Sequence, residues 1–142
     1  MTKRALGIDL GEARIGLAIS DELGMLAHPL ETILVKQIAD PLAHIAQIIE
    51  QKKIEAVVIG LPRNMNGSYG PAAEKAKTFA TQLLDKVQQC EIKLWDERLT
   101  SVAAQKALHA SGRNVKQSRA VIDQVAAQMI LQSWLDSQSM LG

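Results

Sequence analysis

Cysteine is almost missing: Cys90 is the only one in 142 residues. A single thiol builds neither a disulfide framework nor a cysteine-rich metal site, and its isolation fits a reducing compartment. Aromatic residues are nearly as scarce, with two Trp, one Tyr and one Phe. A surface that reads single-stranded nucleic acid by stacking successive bases is therefore not expected. Charge of one sign is not in excess either, since 16 Lys and Arg face 15 Asp and Glu. Any phosphate-binding surface must then be local, because no chain-wide basic field exists to supply one. Long apolar runs are also lacking. The run after Lys3 and Arg4 is cut by Asp9 and Gly11, too early for a signal peptide. No stretch approaches bilayer length. Repeats and low-complexity segments are absent. These exclusions predict a cytoplasmic protein with no membrane partner.

What is present suits one α/β domain with a real core, since 47% of residues are apolar and 22% charged. We expect it over residues 1–136, with residues 137–142 a frayed tail. The stretch from Ala5 to Ser20 reads as two apolar runs, Ala5–Leu10 and Ile15–Ile19, joined by a tight turn. Gly11 and Gly16 permit backbone angles that other residues avoid. Met25–Ile33 is a weaker strand, confined to a sheet edge by Pro29. Three such segments in succession predict an antiparallel meander. Asp40-Pro41 opens a helix, with Leu42, Ile45, Ala46 and Ile49 at helical spacing. Glu55–Gly60 is a nearly continuous apolar run, suited to a strand buried on both faces. Residues 61–70 are a loop rich in Pro, Asn and Gly, and Pro71 opens a second helix. Glu91–Trp95 alternates with period two. A helix capped by Thr100 or Ser101 follows through His109, and a last helix starts near Gln117 and passes Trp134. The sum is a mixed five-stranded sheet, an antiparallel meander and then parallel strands, with helices on both faces.

Three carboxylates stand in apolar company. Asp9 interrupts the first strand, where Asp is depleted. Taken alone it is equally well read as opening the turn to Gly11. Glu97 lies just beyond the strand ending at Trp95. Asp123 interrupts a helical stripe formed by Ala120, Ala126, Ala127, Ile130 and Trp134. A charge on a packed face needs a partner or a metal, and Arg119, one turn earlier, is the local candidate. If the fold brings the three together, a set with no His or Cys suits a hard cation, Mg²⁺ or Mn²⁺. Such ions, often in pairs about 3.5–4 Å apart, assist phosphoryl transfer. His28, His44 and His109 are not spaced as metal ligands. Trp95 and Trp134 read as core or boundary residues.

The motifs Gly7-Ile8-Asp9-Leu10-Gly11, Ala13-Arg14-Ile15-Gly16-Leu17-Ala18, Gly60-Leu61-Pro62 with Asn66-Gly67, Asp96-Glu97-Arg98-Leu99-Thr100-Ser101, and Asp123 with Ala126-Ala127 occur in this order. In that order, over nearly the whole chain, the sequence resembles the YqgF/RuvX family of pre-16S rRNA nucleases, related to Holliday-junction resolvases. The resemblance implies an RNase H-like fold and a metal-dependent nuclease that processes the 5′ end of precursor 16S rRNA. It implies Asp9, Glu97 and Asp123 as catalytic metal ligands. One departure stands out. Many RNase H-like nucleases carry an acid near the end of the fourth strand, where this chain has Gly60-Leu61-Pro62; Glu97 would serve instead.

Arg14, Arg63, Arg98, Lys116 and Arg119 are the candidates for binding nucleic acid, and Arg14 is the nearest phosphate clamp to Asp9. Each taken alone reads more simply as a solvated surface charge. The expected partners are structured precursor rRNA and ribosomal particles, with the chain a monomer or a homodimer. Two substrates fit the chemistry, RNA and a four-way DNA junction. A non-catalytic RNA-binding assembly factor and an actin-like nucleotide-binding domain are readings of other classes. The last needs two such domains to enclose a nucleotide.

Overall fold

Five segments, Ala5–Leu10 (β1), Arg14–Ser20 (β2), Ala27–Leu34 (β3), Ala56–Leu61 (β4) and Glu91–Asp96 (β5), form one sheet in the order β3-β2-β1-β4-β5. The computed structural model describes residues 4–62, 66–99 and 115–141. β1, β2 and β3 pair antiparallel, whereas β4 and β5 join in parallel. The meander followed by parallel strands is as the pattern predicts. Pro29 lies on the edge strand, beside a register shift at Leu17–Ala18, where its missing N–H costs no ladder bond.

Among the described residues three α-helices, Pro41–Gln51 (α1), Pro71–Lys86 (α2) and Val115–Leu141 (α3), cover the sheet. Asp40 caps α1, its side chain accepting from the Ala43 N–H at 3.1 Å, with Pro41 in the first turn. The predicted helix from Thr100 through His109 lies outside the described residues. α3 runs on through residues 137–141, where the sequence predicts fraying. Trp134 and Leu135, both buried, anchor that end, and the Ser137 and Ser139 hydroxyls donate to the carbonyls of Trp134 and Asp136.

Strand alternation divides the core in two. Leu6, Ile8, Leu17, Val57 and Ile59 face α1 and α2, meeting Ile45, Ile49, Ala76 and Leu83. Ala5, Ala18, Ala56 and Val58 face α3, meeting Ala126, Ala127, Ile130, Leu131, Trp134 and Leu135. Each large aliphatic side chain so buried contributes about 1.5–3 kcal/mol. The α3 face is built of small strand residues, so that helix lies close to the sheet. Two glutamines fix it further along. Gln132 Oε1 accepts from the Ala27 N–H at 2.8 Å, and Gln128 Nε2 donates to the Ala27 carbonyl at 2.9 Å.

Candidate active site

Asp9 is 4% exposed, although it is charged. It occupies the central strand, and the alternation that sends Leu6 and Ile8 toward α1 and α2 sends Asp9 toward α3. On one side its cross-strand partner is Gly16 of β2. On the other, one step beyond the Ile8–Ile59 pair, it stands level with Gly60 of β4. A glycine therefore flanks it on both neighbouring strands.

Those glycines seat the other two acids. A Cβ at Gly16 would collide with the Asp123 carbonyl and stand 3.0 Å from the Asp123 Cβ. The α3 backbone thus rests on β2 beside Asp9. A Cβ at Gly60 would stand 2.9 Å from Glu97 Oε1 and 3.3 Å from Glu97 Cγ. Glu97, in the one-turn helix Glu97–Leu99, reaches back over the end of β4. Its carboxylate takes the space that a side chain on the fourth strand would occupy.

Gly16 matters through this close approach rather than through its backbone angles. Among the described residues the glycines with positive φ are Gly24 and Gly67, so the expectation that Gly11 and Gly16 serve unusual angles is corrected. A glycine inside a strand was the available signal, because it marks a place where another backbone comes near.

The fold brings the Asp123 backbone and the Glu97 side chain to the two glycines that flank Asp9, but the three carboxylates do not form a ready ligand cage. Among the described residues no three His, Cys, Asp or Glu side chains are grouped closely enough to hold a metal ion. The Asp123 carboxylate is turned to Arg14, whose Nε donates to Oδ2 at 2.8 Å. Among the described residues the partner of Asp123 is Arg14, 109 positions away in sequence; the side chain of the local candidate Arg119 lies outside them. Arg14 is fixed at its base, its carbonyl accepting from the Gly11 N–H at 2.9 Å.

Arg98 is engaged by its own neighbourhood. Its guanidinium donates to both oxygens of Asp96 at 3.1–3.3 Å, and its N–H donates to Asp96 Oδ1 at 2.9 Å. Asp96 is the side chain that sequence reasoning left unassigned. Arg63 lies outside the described residues, and Lys116 and Arg119 are placed as positions on the first turns of α3. The donor set itself, three carboxylates with no sulfur or imidazole, fits a hard cation. An open groove of about 850 Å³ lies on the α1–α2 side, lined by Leu10, Ile15, Val35, Leu42 and Phe79 among others, and contains none of the three acids.

A family model described as RuvX, Holliday junction resolvase, matches residues 3–137 of the chain. Among curated proteins, one from Halalkalibacterium halodurans is 45% identical over 140 residues, covering 96% of this chain and 99% of that one. One from Bacillus subtilis is 42% identical over 136 residues, covering 94% and 98%. Both carry the name "Putative pre-16S rRNA nuclease". Among solved structures, RuvC from Thermus thermophilus in complex with a Holliday junction substrate superposes with a TM-score of 0.60 at 12% identity, covering 97% of this chain and 96% of that chain. The fowlpox virus Holliday junction resolvase gives 0.54 at 12%, covering 94% and 99%. At such identities the structural likeness establishes a shared RNase H-like fold.

Proposed function

The chain belongs to the RuvX family, and from that premise we propose that it is a metal-dependent nuclease hydrolysing phosphodiester bonds in the 5′ region of precursor 16S rRNA. One observation carries the reading: Asp9 lies between Gly16 and Gly60, with the Asp123 backbone against Gly16 and the Glu97 side chain against Gly60, on one face of the sheet. The site sits at the carboxyl ends of the strands, where α/β sheets present their ligands.

Asp9, Glu97 and Asp123 would hold Mg²⁺ or Mn²⁺. When bound, the ion supplies Lewis acidity at the scissile phosphate and at water. The residues of the chain do the rest. Asp9 gives a fixed point, since its strand is paired on both sides and its side chain is shielded from water. Glu97 and Asp123 approach from separate elements, so the spacing of the acids depends on how β5 and α3 seat on the sheet. Arg14, Arg63, Arg98, Lys116 and Arg119 would orient the phosphate backbone. No helix among the described residues is long and apolar enough to cross a membrane, and we place the protein in the cytoplasm with ribosomal particles.

The name of the matching family model favours a second substrate, a four-way DNA junction. Cleavage of precursor 16S RNA and of a four-way junction, with Mg²⁺ or Mn²⁺, tests both readings. We expect RNA cleavage by the native chain and a fall of about 10²-fold or more in Asp9→Asn and Asp123→Asn. Equal activity in all three proteins would overturn the site. A strain in which Asp9→Asn fully supports ribosome maturation would point instead to a non-catalytic assembly factor.

A further inference from the structure

Hairpin turns are usually built from Gly, Asn, Asp and Ser. The β2–β3 connection has Asp21 and Gly24 in that role, yet it also carries Leu23, Met25 and Leu26, which are 64%, 63% and 56% exposed. Among the described residues the other exposed large apolar side chains, Leu34, Tyr69, Leu84 and Leu94, are 38–47% exposed and far apart in sequence. Single exposed apolar residues are ordinary, whereas a contiguous group marks a contact surface. We propose that this tip is a protein-docking site, which takes a cationic, apolar-anchored segment of a protein on the ribosomal particle. The identity of the particle rests on the pre-16S rRNA reading above; the chemistry of the partner does not.

Three observations carry it. The first is that the tip is framed. The Asp21 N–H donates to the Leu26 carbonyl at 2.9 Å, the Gly24 N–H to the Asp21 carbonyl at 3.1 Å, and the Met25 N–H to Asp21 Oδ1 at 2.9 Å. Gly24 supplies the positive φ of 69° that this turn requires. Gln132 Nε2 of α3 donates to the Met25 carbonyl at 3.0 Å. The backbone is thus set before a partner arrives, and docking has little left to order. The second is charge. Asp21 and Glu22 belong to the tip, and Asp136 accepts from the same Gln132 Nε2 at 3.0 Å. Glu22 also borders a cleft where Arg4, Lys52 and Lys53 are offset in part by Glu55. Acids at the tip repel an RNA backbone. They also repel a second copy, because a two-fold contact sets the patch against itself. A cationic protein segment with apolar anchors complements both the charge and the apolar surface. The third is place. Ser20 ends β2 four residues from Gly16, the cross-strand partner of Asp9, or about 13 Å along the strand. The tip lies beyond Ser20, so it is held while the acid-bearing end meets RNA, and the two contacts reinforce each other.

The test compares precursor 16S RNA stripped of protein with the same RNA in its precursor particle. The native chain is expected to bind the particle about 10-fold or more tightly than the bare RNA. The triple variant Leu23→Ser, Met25→Ser, Leu26→Ser is expected to lose that advantage while cleaving bare RNA within about 2-fold of the native chain, since the two ends act independently. Its melting temperature should hold within about 2 °C, because the replaced side chains already stand in water. Glu22→Lys, a single charge reversal, is expected to weaken particle binding about 3-fold or more and not to weaken binding of bare RNA. A benzophenone side chain in place of Met25 is expected to form an adduct with protein in the particle, one that survives ribonuclease. An adduct with RNA overturns the docking site. So does native particle affinity in the triple variant, an equal loss on bare RNA, or a native chain that binds particle and bare RNA alike. A native dimer in sedimentation that the triple variant breaks overturns it too, and assigns the tip to a second copy. Failure of the substrate reading looks different: the native chain leaves bare precursor RNA uncut yet binds the particle through the tip, and the docking site stands.

Discussion

Gly60→Ala separates the chemistry of the site from the stability of the fold. An added Cβ meets three atoms: Ile130 Cδ1 at 2.5 Å, Glu97 Oε1 at 2.9 Å and Glu97 Cγ at 3.3 Å. All belong to side chains, and none to backbone. Ordinary contact begins near 3.4 Å, so the Ile130 methyl must yield by about 0.9 Å and the Glu97 oxygen by about 0.5 Å. Ile130 is fully buried, and overpacking of such a site costs about 1–3 kcal/mol. Glu97 meets the added Cβ through its side-chain end, so its carboxylate must shift from the place it holds over Gly60. A displacement on the order of 1 Å at a reacting centre costs roughly 10²-fold in rate. Gly7→Ala is the control. Its Cβ would stand 2.7 Å from both the Ala127 carbonyl oxygen and the Leu131 Cβ, atoms that move only if α3 moves. We expect Gly60→Ala to lose about 10²-fold in cleavage of precursor 16S RNA while staying folded at the assay temperature. Gly7→Ala should show the larger drop in urea midpoint. The reasoning fails if Gly60→Ala cleaves within about 3-fold of the native chain, or if its loss of activity follows its unfolded fraction.

Two further changes test the supports of the site. Gln132→Ala removes an acceptor for the Ala27 N–H and donors to the Met25 carbonyl and to Asp136. It should cost about 1–3 kcal/mol in urea unfolding with an unchanged m-value, and amide exchange at Ala27 should speed up; an unaltered Ala27 exchange rate would rule out the clamp. Asp40→Ala removes the α1 cap and should cost about 0.5–2 kcal/mol, with no change in Mn²⁺ affinity because α1 covers the opposite face. A change in that affinity would show that the two faces are coupled.

Much of the fold was legible because periodicity carries it. Alternation in Glu91–Trp95 and the unbroken apolar run before Gly60 mark strands of the right kind, and Asp40-Pro41 and Pro71 mark helix starts. The site was legible as residue types, three acids in apolar settings, and family membership followed from their order along the chain. Pairing was not legible. The one-turn rule points from Asp123 to Arg119 alone, and the Arg14 partner was hidden because the seating of α3 on β2 brings it there and no local spacing encodes that. The role of Gly60 was hidden for a related reason: its meaning lies in the side chain of Glu97, one strand later, filling the space it leaves. The tail from residue 137 was expected to fray as a chain end; the helix runs to Leu141, with Trp134 and Leu135 buried before it.

The glycines under α3 have a consequence for protein design. At Gly7 and Gly16 the helix meets the sheet through main-chain atoms, the carbonyls of Ala127 and Asp123. Every amino acid has such a carbonyl, so the gap between the two layers is a gauge built into the peptide chain itself and does not depend on which side chains fill the rest of the interface. Moved together into another sheet of this topology, β1, β2 and the Asp123–Leu131 segment would carry the spacing of Asp9 and Asp123 with them. A recipient could then be redesigned around that seat at every position except the glycines.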